Sequence, residues 1–280
     1  MHISLLFHGL ARNSNDAASA PRPELMIPIN EVRQLIESML ENGWTFGLPS
    51  RDATTKSRTC SITFDDGYFN NHLFQSVAHE HKIPFILFAN SFNIACQVPF
   101  AWDIQTKIPA FDITSVYTNK SPRVCADLMS RDSVRPFRKD ELRDFLSTGT
   151  AYLGLHTHKH HPLTLMTNAQ IEDDLALNRK FVSHFPAALP DDLALPCGLY
   201  DKRVMTLLSR IVTRVYTTNN GPTTPGSSII HRIPLVNPAN YLPLPEQVAR
   251  HMKTVSRWRR QARMLQLRLR LSNFPNSVIL

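Results

Sequence analysis

The feature that most constrains the fold of this chain is an alternation of short apolar segments with longer amphipathic ones. Six apolar segments, each bounded by polar or turn residues, are predicted strands: 2–8, 58–64, 84–89, 151–156, 192–196 and 213–218. Five segments with helical spacing of their apolar residues are predicted helices: 29–43, 70–83, 138–149, 167–185 and 201–211. This alternation predicts βα units and a largely parallel sheet, and 280 residues suffice for one large α/β domain or two small ones.

Two adjacent aspartates, Asp65 and Asp66, stand at the end of the predicted strand in the segment SITFDDGYF. In an extended strand, neighbouring side chains point to opposite faces of the sheet. Gly67 allows a sharp turn directly after the pair, so both carboxylates can enter one site. The alternative interpretation is a solvated turn that caps the following helix.

Other predicted strands also end in polar or turn residues. His8 and His156 each close an apolar segment, and the turn Pro-Cys-Gly at 196–198 closes another. In parallel α/β sheets, sites lie beyond the carboxyl ends of the strands. These residues are therefore expected to converge with the two aspartates on one face.

The segment GLHTHKHHPL, residues 154–163, contains four histidines within six positions. Zinc commonly takes two imidazoles and one carboxylate while keeping a position open for water. The spacing favours His156 and His160 as a pair that binds a metal with one of the two aspartates, the other two histidines lying outside. A solvated polar loop is the alternative, because a His-rich tract is only a compositional signal.

The segments TFDDG (63–67) and HTHKH (156–160) together resemble the first two motifs of the polysaccharide deacetylases, the NodB-homology proteins of carbohydrate esterase family four. The resemblance covers roughly residues 1–245, over which the order of strands and helices also agrees. It implies a distorted (β/α) barrel of about seven parallel strands and metal-dependent removal of acetyl groups from N-acetylated sugars.

By this resemblance, Asp65 is the general base, and Asp66, His156 and His160 bind the metal. The resemblance implies a divalent cation, with zinc expected and cobalt, nickel, manganese or iron as alternatives. A divalent cation lowers the pKa of a water molecule and polarises a carbonyl group, and a carboxylate beside it can accept the proton of that water.

The third family motif, Arg-x-Pro followed by an aromatic residue, is altered in the segment ALPCGLYD at 194–201. Ala194 stands at the arginine position and Cys197 at the aromatic position. The turn at Cys197 and Gly198 is still expected to contact substrate, with the Cys197 N–H as an oxyanion donor. Arg232 is the predicted replacement for the missing arginine, the alternative being an ordinary surface or helix-pairing arginine.

The late Leu-x-His motif of the family is not found downstream, but LLFHGL at residues 5–10 has its form. This placement resembles the circularly permuted branch of the family, in which the Leu-x-His strand comes first. By that resemblance His8 is the general acid, the alternative being a buried core histidine. Trp102 is predicted to line the sugar groove, although packing explains it equally well.

The net charge of +8 belongs to the end of the chain, because eight Lys and Arg and no acidic residue follow from position 250 onwards. An apolar stripe with helical spacing runs through this part: Val248, Met252, Val255, Trp258, Ala262, Leu265 and Leu269. We therefore expect a deacetylase domain at 1–245 and a basic amphipathic helix and tail at 246–280. Two placements of this helix are expected: it packs on the domain, or it contacts an anionic membrane through residues 248–271. Nucleic-acid binding is not expected, because no sequence motif for base recognition is present.

The four cysteines are scattered with no CxxC pair, which fits reduced thiols in the cytoplasm. No signal peptide and no run of about 18 apolar residues is found. We therefore expect a cytoplasmic protein, with peripheral attachment to the inner membrane face as its only membrane contact.

The sequence thus favours a metal-dependent de-N-acetylase acting on an N-acetylated polysaccharide, oligosaccharide or lipid-linked glycan. Two alternatives remain open. A non-catalytic glycan-binding relative is compatible with the altered third motif. An Fe(II) enzyme with a 2-His-1-carboxylate triad is compatible with the histidine spacing, but it leaves Asp65 without a role.

Overall fold

Seven parallel strands close into a barrel in the computed structural model, which describes residues 1–49, 58–104, 122–224 and 226–252. The described residues contain ten strands, of which seven form the barrel: β1 (His2–Phe7), β2 (Gly9–Ala11), β3 (Met26–Pro28), β4 (Trp44–Phe46), β5 (Arg58–Phe64), β6 (Phe85–Ala89), β7 (Ala151–Leu155), β8 (Ala188–Ala194), β9 (Arg214–Thr217) and β10 (Ile229–Pro234). Around the barrel the order is β1, β5, β6, β7, β8, β9 and β10, and the ring closes because β1 pairs with both β5 and β10. The predicted (β/α) barrel is confirmed.

Helices surround the barrel. They are α1 (Ser14–Ala18), α2 (Ile29–Glu41), α3 (Gln75–His81), α4 (Ser91–Cys96), α5 (Ala101–Ile104), α6 (Pro122–Ser130), α7 (Lys139–Leu146), α8 (Asn168–Val182), α9 (Lys202–Ile211) and α10 (Leu244–Met252). Local sequence explains where the crossover helices begin. Thr167 forms a capping box with Gln170 at the start of α8, and the Asp201 carboxylate accepts the Val204 N–H at 2.8 Å at the start of α9.

The two faces of the strands have different environments. Outward-facing side chains such as Leu5, Ile62 and Leu153 pack against the helices in the main hydrophobic core. The inward face carries a smaller apolar cluster, which includes Phe88 and Tyr216, together with polar side chains. Alternation along each strand therefore builds a partly polar barrel interior, which leads to the carboxyl ends of the strands.

Four strands were not predicted from the sequence. The strands β2, β3 and β4 have three residues each, which is too short for a periodic signal. The sequence of β10, IIHRIP, places a histidine and an arginine where a buried strand normally has apolar residues. The predicted helix 70–83 divides into a 3-10 turn over Phe69–Phe74 and the short helix α3.

Helix α10 packs on the barrel through Leu244, Gln247 and Val248, which are all buried. The Gln247 side chain accepts the Val236 N–H at 3.1 Å and donates to the Val236 and Leu242 carbonyls at 2.9 and 2.6 Å. The predicted boundary at 245/246 falls inside this helix. Most of the predicted stripe and basic tail lies outside the described residues. No helix within the described ranges has the length and hydrophobicity that a bilayer crossing requires.

Candidate active site and metal centre

The side chains of the two adjacent aspartates point in different directions because the backbone turns sharply at Asp66 and Gly67. Asp65 continues the ladder, its N–H donating to the Phe7 carbonyl at 2.9 Å. Asp66 has φ 75° and Gly67 has φ 94°, both in the left-handed region that favours glycine. Asp65 and Asp66 are each only 3% exposed. The turn therefore directs two buried carboxylates towards different partners.

Asp66 meets two imidazoles. Its Oδ1 atom lies 3.4 Å from the Nε2 atom of His156 and 3.4 Å from the Nε2 atom of His160, and the three donor atoms all lie within 4.8 Å of one another. Bonds of about 2.0–2.2 Å at tetrahedral angles separate two zinc ligands by roughly 3.4 Å. The separations and the donor types of this group therefore fit a divalent cation with tetrahedral preference.

A backbone carbonyl fixes the tautomer of His156. Its Nδ1 atom lies 2.9 Å from the Ala194 carbonyl oxygen, which can only accept, so Nδ1 carries the proton and Nε2 presents a lone pair. Asn178 on α8 accepts the backbone N–H of His156 at 3.0 Å. The end of β7 is thus held by hydrogen bonds from two neighbouring elements.

The loop after β7 brings His160 back over the barrel. Thr157 and His160 both have positive φ, at 66° and 58°, and the Thr157 hydroxyl accepts the His160 N–H at 2.9 Å. Asp174 on α8 accepts the N–H groups of His158 and Lys159 at 2.6 and 3.1 Å. The His158 ring contacts Ser91 at 2.9 Å and Phe92, and His158 is not among the grouped donors.

The electrostatics favour the ligand protonation state of two of the three residues, Asp66 and His160, whereas for His156 burial is outweighed by the two neighbouring aspartates, which raise its pKa. Burial raises the pKa of Asp66, but the neighbouring histidines outweigh burial and hold that pKa at about 2. Burial and the charge of His156 lower the pKa of His160 to about 3 against the attraction of the aspartates. Asp66 is therefore an anion and His160 a neutral imidazole at neutral pH, as cation binding requires.

Asp65 is held by a buried arginine. The Arg232 guanidinium donates to both carboxylate oxygens, at 2.6 and 2.9 Å, and to the Thr217 carbonyl at 3.3 Å, and Arg232 is 0% exposed. Burial raises the pKa of Asp65, but Arg232, His156 and His8 together lower it below its ordinary value. Asp65 is thus an oriented anion whose Oδ2 lies 3.9 Å from the His156 Nε2.

His8 follows β1 directly beside Asp65, because Phe7 and Phe64 are paired residues of the two strands. Asn71 donates its side-chain N–H to the His8 carbonyl at 2.6 Å. The Nδ1 atom of His8 is buried and has no hydrogen-bond partner among the described residues. The structure therefore brings His8 to the same face as both aspartates.

The turn of the altered third motif lies at the end of β8. Cys197 has φ 56° and an exposed side chain, and the Gly198 N–H donates to the Leu195 carbonyl at 3.0 Å. A Cβ at position 198 would lie 1.9 Å from the Thr218 hydroxyl, so glycine is required there. The Gly198 N–H is thus used within the turn, and the oxyanion contact of the Cys197 N–H stays a prediction.

Trp102 is partly buried beside the triad. Its ring lies 4.5 Å from the His160 ring, centroid to centroid, and stacks on Phe100 at 5.2 Å. Trp102 therefore packs on one predicted metal ligand, and the sugar groove stays a prediction for its other surface.

Comparison with known proteins decides the family. A family model described as polysaccharide deacetylase matches residues 52–215, which is more than half of the chain. The chain belongs to the polysaccharide deacetylase family. The search of curated proteins found no match to this deacetylase-family chain.

Solved structures of the family share the fold. The putative polysaccharide deacetylase BA0330 from Bacillus anthracis is 14% identical with a TM-score of 0.64, covering 90% of this chain and 68% of that one. IcaB from Ammonifex degensii is 17% identical with a TM-score of 0.61, at 90% and 97% coverage. A de-N-acetylase from Aggregatibacter actinomycetemcomitans is 15% identical with a TM-score of 0.62, at 84% and 94% coverage.

Two predicted site residues of this deacetylase-family chain, His8 and Arg232, lie outside the matched range. Both reach the site because β1 pairs with β5 on one side and with β10 on the other. Sequence reasoning missed Asp174 and Asn178, which hold the histidine loop. The sequence did contain a signal for these two residues. They are polar and lie four residues apart on the otherwise apolar face of α8, where a buried partner is expected.

Substitution of Arg232 by glutamine is expected to shift the acid limb of the pH–kcat/KM profile to higher pH. Without the guanidinium, burial acts on Asp65 with less opposition, so its pKa rises and the base form is lost at higher pH. The profile should be measured beside Arg214→Gln, which removes another arginine that binds a buried carboxylate, Asp192, at 2.9 Å. An unshifted acid limb in Arg232→Gln would separate Arg232 from the base.

Proposed function

We propose that this chain is a metal-dependent carbohydrate de-N-acetylase, which hydrolyses the acetamide of an N-acetylated glycan. One observation carries the proposal. Two adjacent aspartates divide between two partners, Asp66 lying 3.4 Å from two imidazole nitrogens and Asp65 pairing with a buried arginine. This division provides one carboxylate for a cation and a second for a proton.

Asp66, His156 and His160 would hold the cation. Two nitrogens and one oxygen suit zinc, and cobalt, nickel, manganese and iron accept the same donors. When bound, the cation supplies Lewis acidity, which makes water more acidic and the acetamide carbonyl more electrophilic.

Asp65 is the proposed general base. It accepts a proton from water as the water oxygen bonds to the acetamide carbon, a contribution of about 10²–10⁴-fold. Arg232 keeps the carboxylate ionised and fixes its orientation, because it binds both oxygens. The backbone N–H of Cys197 is the proposed donor to the oxyanion that forms.

His8 is the proposed general acid. When the carbon–nitrogen bond breaks, the leaving amine takes a proton from the His8 ring, and acetate is released. We expect His8→Ala to reduce kcat more on an acetamide than on a matched acetate ester, because an alkoxide can leave with less protonation. Equal and small losses on both substrates would assign the acid to another residue.

The experiment that tests the function is acetate release from N-acetylglucosamine oligomers and from lipid- and nucleotide-linked N-acetyl sugars. We expect release that stops with a chelator and returns when zinc is added. Oligosaccharide binding without acetate would favour the glycan-binding alternative. A product that forms only with dioxygen would favour the Fe(II) alternative.

We also propose a cytoplasmic protein whose basic C-terminal part contacts anionic membrane. Truncation after Met252 keeps the packed face of α10, including Gln247, so the barrel is expected to retain activity on a soluble substrate. Sedimentation with anionic vesicles should fall to the level seen with neutral vesicles. Insolubility of the truncated chain, or undiminished vesicle binding, would contradict the membrane role.

A further inference from the structure

The two imidazoles of the proposed metal site are held in different ways. A hydrogen bond from Nδ1 to the Ala194 carbonyl fixes the His156 ring. The His160 ring has its Nε2 atom 3.4 Å from Asp66 and is flanked by two rings, those of His156 at 4.8 Å and Trp102 at 4.5 Å. Trp102 is therefore one of the groups that set the orientation of the His160 ring, and whatever orients Trp102 also acts on His160.

A directed chain of hydrogen bonds orients Trp102. Its indole N–H donates to the Tyr68 hydroxyl oxygen at 2.8 Å, and the Tyr68 hydroxyl lies 2.8 Å from the Asp103 Oδ2 atom. An indole nitrogen can only donate, so the Tyr68 oxygen accepts from it and its own proton points to Asp103. Phe100 stacks on Trp102 and packs on Tyr68 at 4.4 Å.

Burial of the Asp103 carboxyl group is energetically unfavourable. It is 5% exposed, and its Oδ1 atom has no partner among the described residues. Burial raises its pKa to about 7, helped by the charge of Asp66 and opposed by the hydrogen bond from Tyr68. An apolar side chain would be buried at this position without that desolvation penalty. The carboxyl group is therefore best explained as the acceptor that directs the Tyr68 hydroxyl.

We propose that Asp103 and Tyr68 are positioning residues that, through Trp102, hold the His160 ring in the orientation that binds the cation. The proposal rests on the proposed metal-dependent function. A metal-binding histidine is usually oriented by a hydrogen bond to its second ring nitrogen, and here three residues would orient the ring through packing instead. Trp102 then has a role at the metal centre that does not require contact with sugar.

The barrel contains a matched control for this chain of contacts. The Tyr216 hydroxyl donates to the buried carboxylate of Asp192 at 2.8 Å, and both Tyr68 and Tyr216 are 0% exposed. The Tyr216 ring packs on Phe88 at 4.6 Å rather than on a metal ligand. Tyr68→Phe and Tyr216→Phe thus remove the same kind of bond, but only the first bond leads to His160.

The test measures zinc affinity by competition with a chromophoric chelator and records the ligand-field spectrum of the cobalt-loaded protein. Tyr68→Phe and Asp103→Leu are expected to weaken zinc binding about 10–100-fold and to alter the cobalt spectrum. Asp103→Asn keeps an oxygen that can accept the Tyr68 proton, so this variant should keep most of the wild-type zinc affinity. Tyr216→Phe should lose comparable thermal stability but keep the wild-type affinity and spectrum.

Zinc affinity in Tyr68→Phe equal to that in Tyr216→Phe would overturn the positioning role, even if Asp103→Leu failed to fold. Failure of the wild-type protein to bind one equivalent of zinc would instead overturn the proposed metal-dependent function. The two failures are therefore distinguished in the same titration.

Discussion

Alanine at position 66, 156 or 160 is expected to abolish both bound metal and acetate release. Asp66, His156 and His160 each contribute one donor atom to a group whose members lie within 4.8 Å of one another. A catalytic site with three protein ligands keeps no spare ligand, so two donors should not retain the cation.

The measurement is metal content per chain after dialysis, together with acetate release at saturating substrate. His158→Ala is the matched control, because His158 lies in the same loop but its ring contacts Ser91 and Phe92. The control should keep metal and activity. One full equivalent of metal in any of the three ligand variants would disprove the triad.

Asp65→Asn is expected to lower kcat by about 10²–10⁴-fold with metal content near that of the wild type. The amide keeps the size and shape of the carboxylate, but it cannot accept the proton of water. Asp65 is not among the three grouped donors, and its oxygens are bound by Arg232. Loss of activity without loss of metal is the signature that separates a base from a ligand.

Asp192→Asn provides the comparison, because Asp192 is also a buried carboxylate with an arginine partner, Arg214. Its kcat should stay close to that of the wild type, although its stability falls. If Asp65→Asn retained most of its kcat, or lost its metal, the division of labour between Asp65 and Asp66 would be wrong.

The grouping of Asp66, His156 and His160 in one place was predictable because the information for it is local in the sequence. Asp66 lies in one short motif, His156 and His160 lie in another, and each motif follows an apolar strand. Strand alternation and the rule that sites lie at carboxyl ends were then enough to bring the two motifs together. Strand–helix alternation also predicted the parallel sheet, whereas its closure into a barrel was expected only from the family resemblance.

The partner of Asp65 was harder to predict because Arg232 is 167 residues away and lies on β10, which the sequence pattern did not show as a strand. Only closure of the ring brings the two side chains together. The contact from Asp103 through Tyr68 to Trp102 was also missed. It depends on hydrogen-bond directions between two segments, which neither periodicity nor composition records.

Because the barrel closes through its last strand, the parts of the site become available one after another during synthesis. The residues that would hold the cation, from Asp66 to His160, and the Ala194 carbonyl that fixes His156 are all translated before β10. A nascent chain that has emerged as far as β8 thus carries every proposed metal ligand, but Asp65 is still without its arginine. Such long-range pairing is slow to form. If the proposed function holds, the metal ligands are therefore synthesised before the general base is complete, and Asp65 gains its arginine only when β10 pairs with β1.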